Sequence, residues 1–137
     1  MNKKYELTKT SRKIRGVTCF QICVLRNFGQ FEKGDLGGWI ESENNLSHEG
    51  NAFVFGDAFV FNDARVFGDA WVYGNARVFD KAQVSDGAHI SGNAHIYGNV
   101  HIFGDAWISG NVRITGKAQI TGDIWISNDI SENEAII

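Results

Sequence analysis

From Gly50 to Ser127 the chain reads GNAFVF GDAFVF NDARVF GDAWVY GNARVF DKAQVS DGAHIS GNAHIY GNVHIF GDAWIS GNVRIT GKAQIT GDIWIS, a register of six residues kept without a break. A short fixed period marks a solenoid: each unit is too small to bury a face alone, and stacked neighbours make a continuous core. Thirteen aliphatic residues hold one slot, from Val54, Val60, Val66, Val72, Val78 and Val84 to Ile90, Ile96, Ile102, Ile108, Ile114, Ile120 and Ile126. Two positions before each stands a small residue, nearly always alanine, as at Ala52, Ala58 and Ala64. A spacing of two puts both on one side of a strand. Each unit is therefore a short strand with Ala and Val/Ile pointing inward, then a two-residue corner. Gly, Asn and Asp fill that corner because they accept the positive φ of a sharp turn. A period of six does not fit the 3.6 residues of a helical turn.

Working outward, Trp39-Ile40 and Asn45-Leu46 fit the same template, with Ile40 and Leu46 six apart. His48-Glu49 then reads as a two-residue insertion before Ala52. Residues 1–37 differ. Tyr5–Thr8 and Val17–Arg26 predict ordinary strands, and GQFEKGDLGG is turn-rich. We assign residues 1–37 as an N-terminal β cap over the open first coil, 38–130 as the hexapeptide-repeat helix, and 131–137 as a C-terminal tail that covers or extends the last coil.

The bulk numbers fit one folded domain: 137 residues, 43% hydrophobic, sixteen Gly and no Pro. No stretch approaches the ~18 apolar residues of a membrane span, and the charged start MNKKYELTKTSRK lacks the apolar run of a signal peptide. Cys19 and Cys23 lie two pleats apart on one strand, out of reach of each other, which predicts reduced thiols and a cytoplasmic setting. The net charge of −3 hides an asymmetry. Residues 1–33 hold eight Lys/Arg against Glu6 and Glu32, or +6; the remainder holds five basic and fourteen acidic residues, or −9. The basic head either docks on the acidic body or forms a patch for an anionic partner. Eight charges spread over 33 residues are too sparse to predict a nucleic-acid binder.

The pattern A-x-[VI]-x-G-[ND] resembles the hexapeptide repeat of left-handed parallel β-helices, which place three hexads in each triangular coil. That resemblance implies an all-β, left-handed parallel β-helix of about five coils; the hand comes from the likeness alone, since parallel crossovers are normally right-handed. The segment ICVLRNFGQFEKGDLGGWIESENNLS (22–47), leading into the repeats, is similar to a family of uncharacterised bacterial and prophage-borne hexapeptide-repeat proteins, some of which carry transferase labels. The likeness implies a phage-type interaction protein, with inhibition of a host defence protein as one form.

Hexapeptide proteins are often acyltransferases, which place a catalytic His beside a loop that interrupts the coils and seat acyl-coenzyme A between subunits. This chain has His48, His89, His95 and His101. The last three are six apart, so in a three-sided coil they leave from three faces and do not converge on the single point a metal needs. No nucleophile–base pair or GxSxG-type elbow is present. No catalytic residue, metal ligand or cofactor is therefore assigned. The corner ladders Asn75, Asn93, Asn111 and Asp69, Asp105, Asp123 read as turn chemistry. Outward Thr pairs of an ice-binding face reduce to Thr115 and Thr121.

With columns at eighteen residues, one face presents Phe53, Trp71, His89, Trp107 and Trp125, flanked by Phe55, Tyr73, Ser91, Ser109 and Ser127. A second shows Phe59, Arg77, His95 and Arg113 beside Phe61, Phe79 and Tyr97; the third shows Arg65, Gln83, His101 and Gln119 beside Phe67 and Phe103. A continuous outward aromatic strip is more apolar surface than a soluble monomer usually shows. Three coverings suit it: a second copy (a dimer or trimer), the N-terminal cap over the Phe-rich early coils, or a foreign partner such as a host protein. Phe53, Trp71, Tyr73, His89, Trp107 and Trp125 are the candidate binding residues. The expectation is a non-enzymatic β-helical platform. An acyltransferase with an inter-subunit site and a polymerising β-helical scaffold are its alternatives.

Overall fold

The fold was described from a computed structural model, which describes residues 3–127, 129, 135 and 136. Every hexad from Phe53 onward forms a two-residue strand on its outward residue and its inward Val or Ile, from Phe53–Val54 to Trp125–Ile126. These strands stack in parallel with a register of eighteen: Phe53 pairs with Trp71, Trp71 with His89, His89 with Trp107, and Trp107 with Trp125. Three sheets result among the described residues, two of five strands and one of seven. From Ala52 onward, backbone N–H···O bonds between coils run at 2.8–3.1 Å, so each coil is tied only to those above and below.

The core is the predicted one. All thirteen Val/Ile are buried, twelve of them at 0–1% exposure and Ile126 at 8%, and the alanines two before them are equally closed. The corners show why Gly, Asn and Asp alternate. Only the first corner residue takes a left-handed backbone, as at Gly56 (φ 67°) and Gly74 (φ 68°). Where Gly is missing, Asn62, Asp80 and Asp86 occupy the slot at φ 56–58°. A positive φ is the conformation that Gly, and after it Asn and Asp, adopt at least cost.

The insertion is visible as register. Before it, Ile40 pairs with Val60 and Leu46 bridges to Val66, both twenty apart; after it the spacing falls to eighteen. Between Ile40 and Leu46 the chain makes one 3-10 turn, Glu43–Asn45. The buried Asn45 side chain holds that turn against the next coil. Its Oδ1 accepts from the backbone N–H groups of Glu41 (3.0 Å) and Ser42 (2.9 Å), and its Nδ2 donates to the carbonyls of Asn62 (3.1 Å) and Ala64 (2.8 Å).

The N-terminal residues extend one wall of the coil. Strands β1 (Tyr5–Ile14) and β2 (Val17–Val24) form an antiparallel hairpin, and β2 pairs with β3 (Leu36–Ile40), which runs parallel to the coil strand Phe59–Val60. Three strand bounds differ from expectation, the least of them β2, which stops at Val24 rather than Arg26. β1 runs on through the charged Lys9–Lys13, because Arg15 (φ 50°) and Gly16 (φ 79°) close a two-residue hairpin turn that carries the pairing to Ile14–Val17. The Gly37-Gly38 pair lies inside β3 rather than in a turn. A Cβ on Gly37 would sit 2.7 Å from Phe53 Cζ, so the strand comes this close to the coil only because it is glycine. Tyr5, Ile22, Val24 and Phe28 share one core with Ile40, Leu46, Ala52 and Val54. Of the tail expected at 131–137, residues 131–134 and 137 lie outside the described residues; Ala135–Ile136 adds a parallel strand beside Gln119–Ile120.

Candidate functional site

The strands Trp71–Val72, His89–Ile90, Trp107–Ile108 and Trp125–Ile126 each turn one aromatic ring outward at the same position in successive coils. The rings form a single ladder. Trp71 stacks on His89 at 5.2 Å between centroids and 10°, His89 meets Trp107 at 4.8 Å and 30°, and Trp107 stacks on Trp125 at 5.2 Å and 7°. Tyr73 stands edge-on beside it, 6.5 Å from Trp71 and 6.2 Å from His89, and stacks on Phe55 at 4.9 Å. Exposure rises along the column: Trp71 and His89 are half-buried, Trp107 is 38% exposed and Trp125 is 79% exposed.

Phe53 departs from the rest. It leaves the coil on this face but is fully buried, because Phe28 (5.3 Å) and Phe31 (4.6 Å) close over it. Phe31 also reaches Phe55 (5.1 Å) and the edge of Trp71 (5.5 Å), and the Trp71 indole N–H donates to the Asn51 carbonyl at 3.1 Å. The N-terminal segment thus seals the lower end of the ladder, and Phe53 belongs to that seam. The pair Phe28-x-x-Phe31, two large apolar residues within a turn-rich stretch, was the signal in the sequence that sequence reading missed.

The second face is covered in the same way. Phe61 and Phe79 stack at 5.0 Å and are buried with Trp39 under Ile14 and Cys19 of the hairpin, while Arg15 lies 4.9 Å above the Phe79 ring. Burial and, secondarily, Glu41 push the Cys19 thiol up to about 12. The third face keeps Phe67 38% exposed.

The histidines fall on separate surfaces, as their spacing requires: His89, His95 and His101 belong to three different sheets. Burial lowers the proton affinity of His89, which Asp105 partly restores, and its Nδ1 is buried without a partner. His48, beside the insertion, is a structural clasp. Its ring stacks on Tyr5 at 4.1 Å, Nδ1 accepts from the Lys4 N–H at 3.1 Å, and Nε2 meets Glu43 Oε1 at 2.7 Å. With Nδ1 an acceptor, the proton is assigned to Nε2, and neither nitrogen is left to act as a base. That hydrogen bond is the main reason the Glu43 carboxyl titrates below its ordinary value.

Residues 70–86, about one circuit of the coil, match the family model described as YdcK beta solenoid repeat. The chain is a β-helix repeat protein. The matched circuit of this β-helix carries Trp71 and Tyr73, and the description names a repeat without an activity. No curated protein matches the chain. Among the described residues no helix is long and apolar enough to cross a membrane.

Proposed function

We propose that this β-helix protein is a non-enzymatic binding platform that self-associates through the indole ladder. The observation that carries the reading is the open end of the column: Trp107 and Trp125 stand exposed while the opposite end is sealed by Phe31. Only Trp125, at the end, keeps an outer face without a stacking ring among the described residues. From Trp71 to Trp107 the ring faces are spent on one another, so along its length the ladder offers a partner ring edges. That disfavours sugars and flat ligands, which stack on free ring faces, and favours a protein surface. Beside the indoles run the small residues Ser91, Ser109 and Ser127, which in the proposed contact serve as a furrow next to the ridge of rings. A ridge and a furrow on one face are self-complementary. A two-fold axis lays each ridge in the other copy's furrow, which is an isologous dimer contact. Tryptophan is also the residue that most often anchors such contacts.

Solution mass tests this directly. The wild-type chain is expected at twice its 15.2 kDa by light scattering, and Trp107→Glu at 15.2 kDa with an unchanged β-sheet circular dichroism spectrum. Gln83→Glu, on another sheet, is expected to remain dimeric. A wild-type monomer, or a dimer indifferent to Trp107→Glu, refutes the assignment; open-ended polymers would indicate the scaffold instead.

A further inference from the structure

A second, differently built surface lies on the seven-stranded sheet, where the β1–β2 hairpin overhangs the coil. Here Arg77, His95 and Arg113 stack rung on rung, paired in register, at the ~4.8 Å spacing of neighbouring strands. Beside them at the corner runs an amide ladder in which Asn93 Nδ2 donates to Asn111 Oδ1 at 2.9 Å. The hairpin brings Arg12 and Arg15 to the same place, Arg12 over the Trp39 ring at 4.4 Å and Arg15 over Phe79. Between hairpin and sheet is an open groove of about 420 Å³ lined by Arg12, Asp57, Phe59, Asn75, Arg77, Asn93 and His95.

The charges in and around this groove are poorly balanced; Arg12, Arg77 and Asp57 line it, while Arg15 and Arg113 lie beside the lining. Asp57 lies 3.9 Å from Arg12, with both side chains well exposed. Asp129 accepts from the backbone N–H of Arg113 at 2.8 Å. Among the described residues no carboxylate is within ion-pair distance of Arg15, Arg77 or Arg113. Arg77 and Arg113 stand two rungs apart with the neutral His95 between them, and Arg12 and Arg15 of the hairpin lie on the same face. Like charges gathered on one face cost free energy in the empty protein, and an anion seated among them removes that cost.

We infer that this groove binds a small phosphate-bearing anion, with Arg77 of its lining and Arg113, one rung beyond His95 at its margin, as clamps, Arg12 as its lid and the Asn75–Asn93 amides as its edge. Guanidinium forks match phosphate oxygens in pairs, which a lysine cluster does not do. The volume suits a ligand of one or two phosphates with a small organic part. An extended polyanion fits worse, because it would leave the groove onto a body whose residues 34–137 carry −9. His95 adds a proton linkage. Burial holds its proton affinity down, and Arg77, Arg113 and Arg15 lower it further, so it enters binding neutral. An anion among these same groups reverses the balance, with Arg12 and Asp57 the other charges facing it, and the complex takes up a proton.

Isothermal titration with inorganic pyrophosphate tests the inference, with sulfate and a twelve-residue oligothymidylate as comparison arms at matched ionic strength. Saturable pyrophosphate binding is expected, at least tenfold tighter than sulfate and, once the ligand's own titration is subtracted, tighter at pH 6 than at pH 8. Arg77→Gln with Arg113→Gln should weaken it more than tenfold, Arg65→Gln on another sheet should leave it unchanged, and His95→Gln should flatten the pH dependence. Circular dichroism checks that each variant is folded, and since the indole ladder lies on a different sheet, solution mass separates failure here from failure of the dimer. Absent binding, binding indifferent to the paired arginine change, or parity with sulfate overturns the inference. Oligothymidylate binding tighter than pyrophosphate makes the groove a nucleic-acid track and overturns it as well.

Discussion

Truncating Ile102 to alanine tests how the coil is held together. Ile102 is fully buried and stands between Val84 and Ile120 in its column. The change removes three carbons, which at ~0.8 kcal/mol per buried methylene is a transfer loss of about 2.4 kcal/mol. A cavity term adds to it, because the walls cannot close. Ser85 N–H bonds to the Ile102 carbonyl and Phe103 N–H to the Ile120 carbonyl, both at 2.9 Å, and these bonds fix the spacing of the coils. The expected loss is therefore in the upper half of the range for such truncations, about 3–5 kcal/mol. Ile126 is the control. It is 8% exposed and lies in the end strand of its sheet, paired on one side with Ile108. Solvent and side chains fill a gap there more readily, so Ile126→Ala should cost about 2 kcal/mol or less. Urea unfolding gives both values, and amide exchange shows where they act. Faster exchange at Ser85 and Phe103, with the coils around Val60 still protected, is the pattern of a solenoid whose coils are tied only to neighbours. A loss below about 1 kcal/mol for Ile102→Ala, or equal losses at both sites, refutes the account of the core.

Replacing Asn45 by alanine removes four hydrogen bonds and leaves the buried Ala64 carbonyl and the partly buried Asn62 carbonyl short of donors, so a loss of about 2–4 kcal/mol in urea unfolding is expected. Lys4 carries a pH signature: burial, helped by Arg26 and opposed by Asp69, lowers its amine from 10.5 to about 8. Between those values the folded state has released a proton that the unfolded chain keeps, so folding strengthens as pH rises through the window, by at most about 3 kcal/mol. The stability of wild type minus that of Lys4→Met, measured from pH 7 to 11, should rise across this span; a flat difference would show that Lys4 is not held charged against burial.

The coil was legible because one slot repeated thirteen times, and periodicity survives any uncertainty about a single residue. Even the two-residue slip at His48-Glu49 could be read, since Ile40 and Leu46 kept the six-residue beat before it. The aromatic columns followed by arithmetic from three hexads per circuit, and Trp71, His89, Trp107 and Trp125 lie one above another as that arithmetic requires. What periodicity could not give is which outward ring is covered. Phe53 and Trp125 occupy the same slot in the repeat, yet one is closed and the other 79% exposed. The difference comes from Phe28 and Phe31, which belong to no repeat and reach Phe53 through tertiary contacts.

The same limit explains the hairpin and the clasp. Lys9–Lys13 has no apolar alternation, so nothing local marks it as strand; Arg15-Gly16 and the pairing partner Val17–Phe20 decide it. Lys4 and His48 look like solvated surface residues in the sequence, and the structure closes them against Ala52 and Tyr5. The aperiodic N-terminal third therefore controls the surface of a periodic body. It seals the early aromatic rungs, leaves the late ones open, and sets its arginines over the one sheet whose outward column already carries Arg77, His95 and Arg113. Both proposed surfaces are defined by where that segment stops. It follows that changes in the Phe28–Phe31 turn should alter the extent of the open ladder, whereas changes at the Arg15-Gly16 tip should alter the basic groove, with the coil beneath left intact in each case.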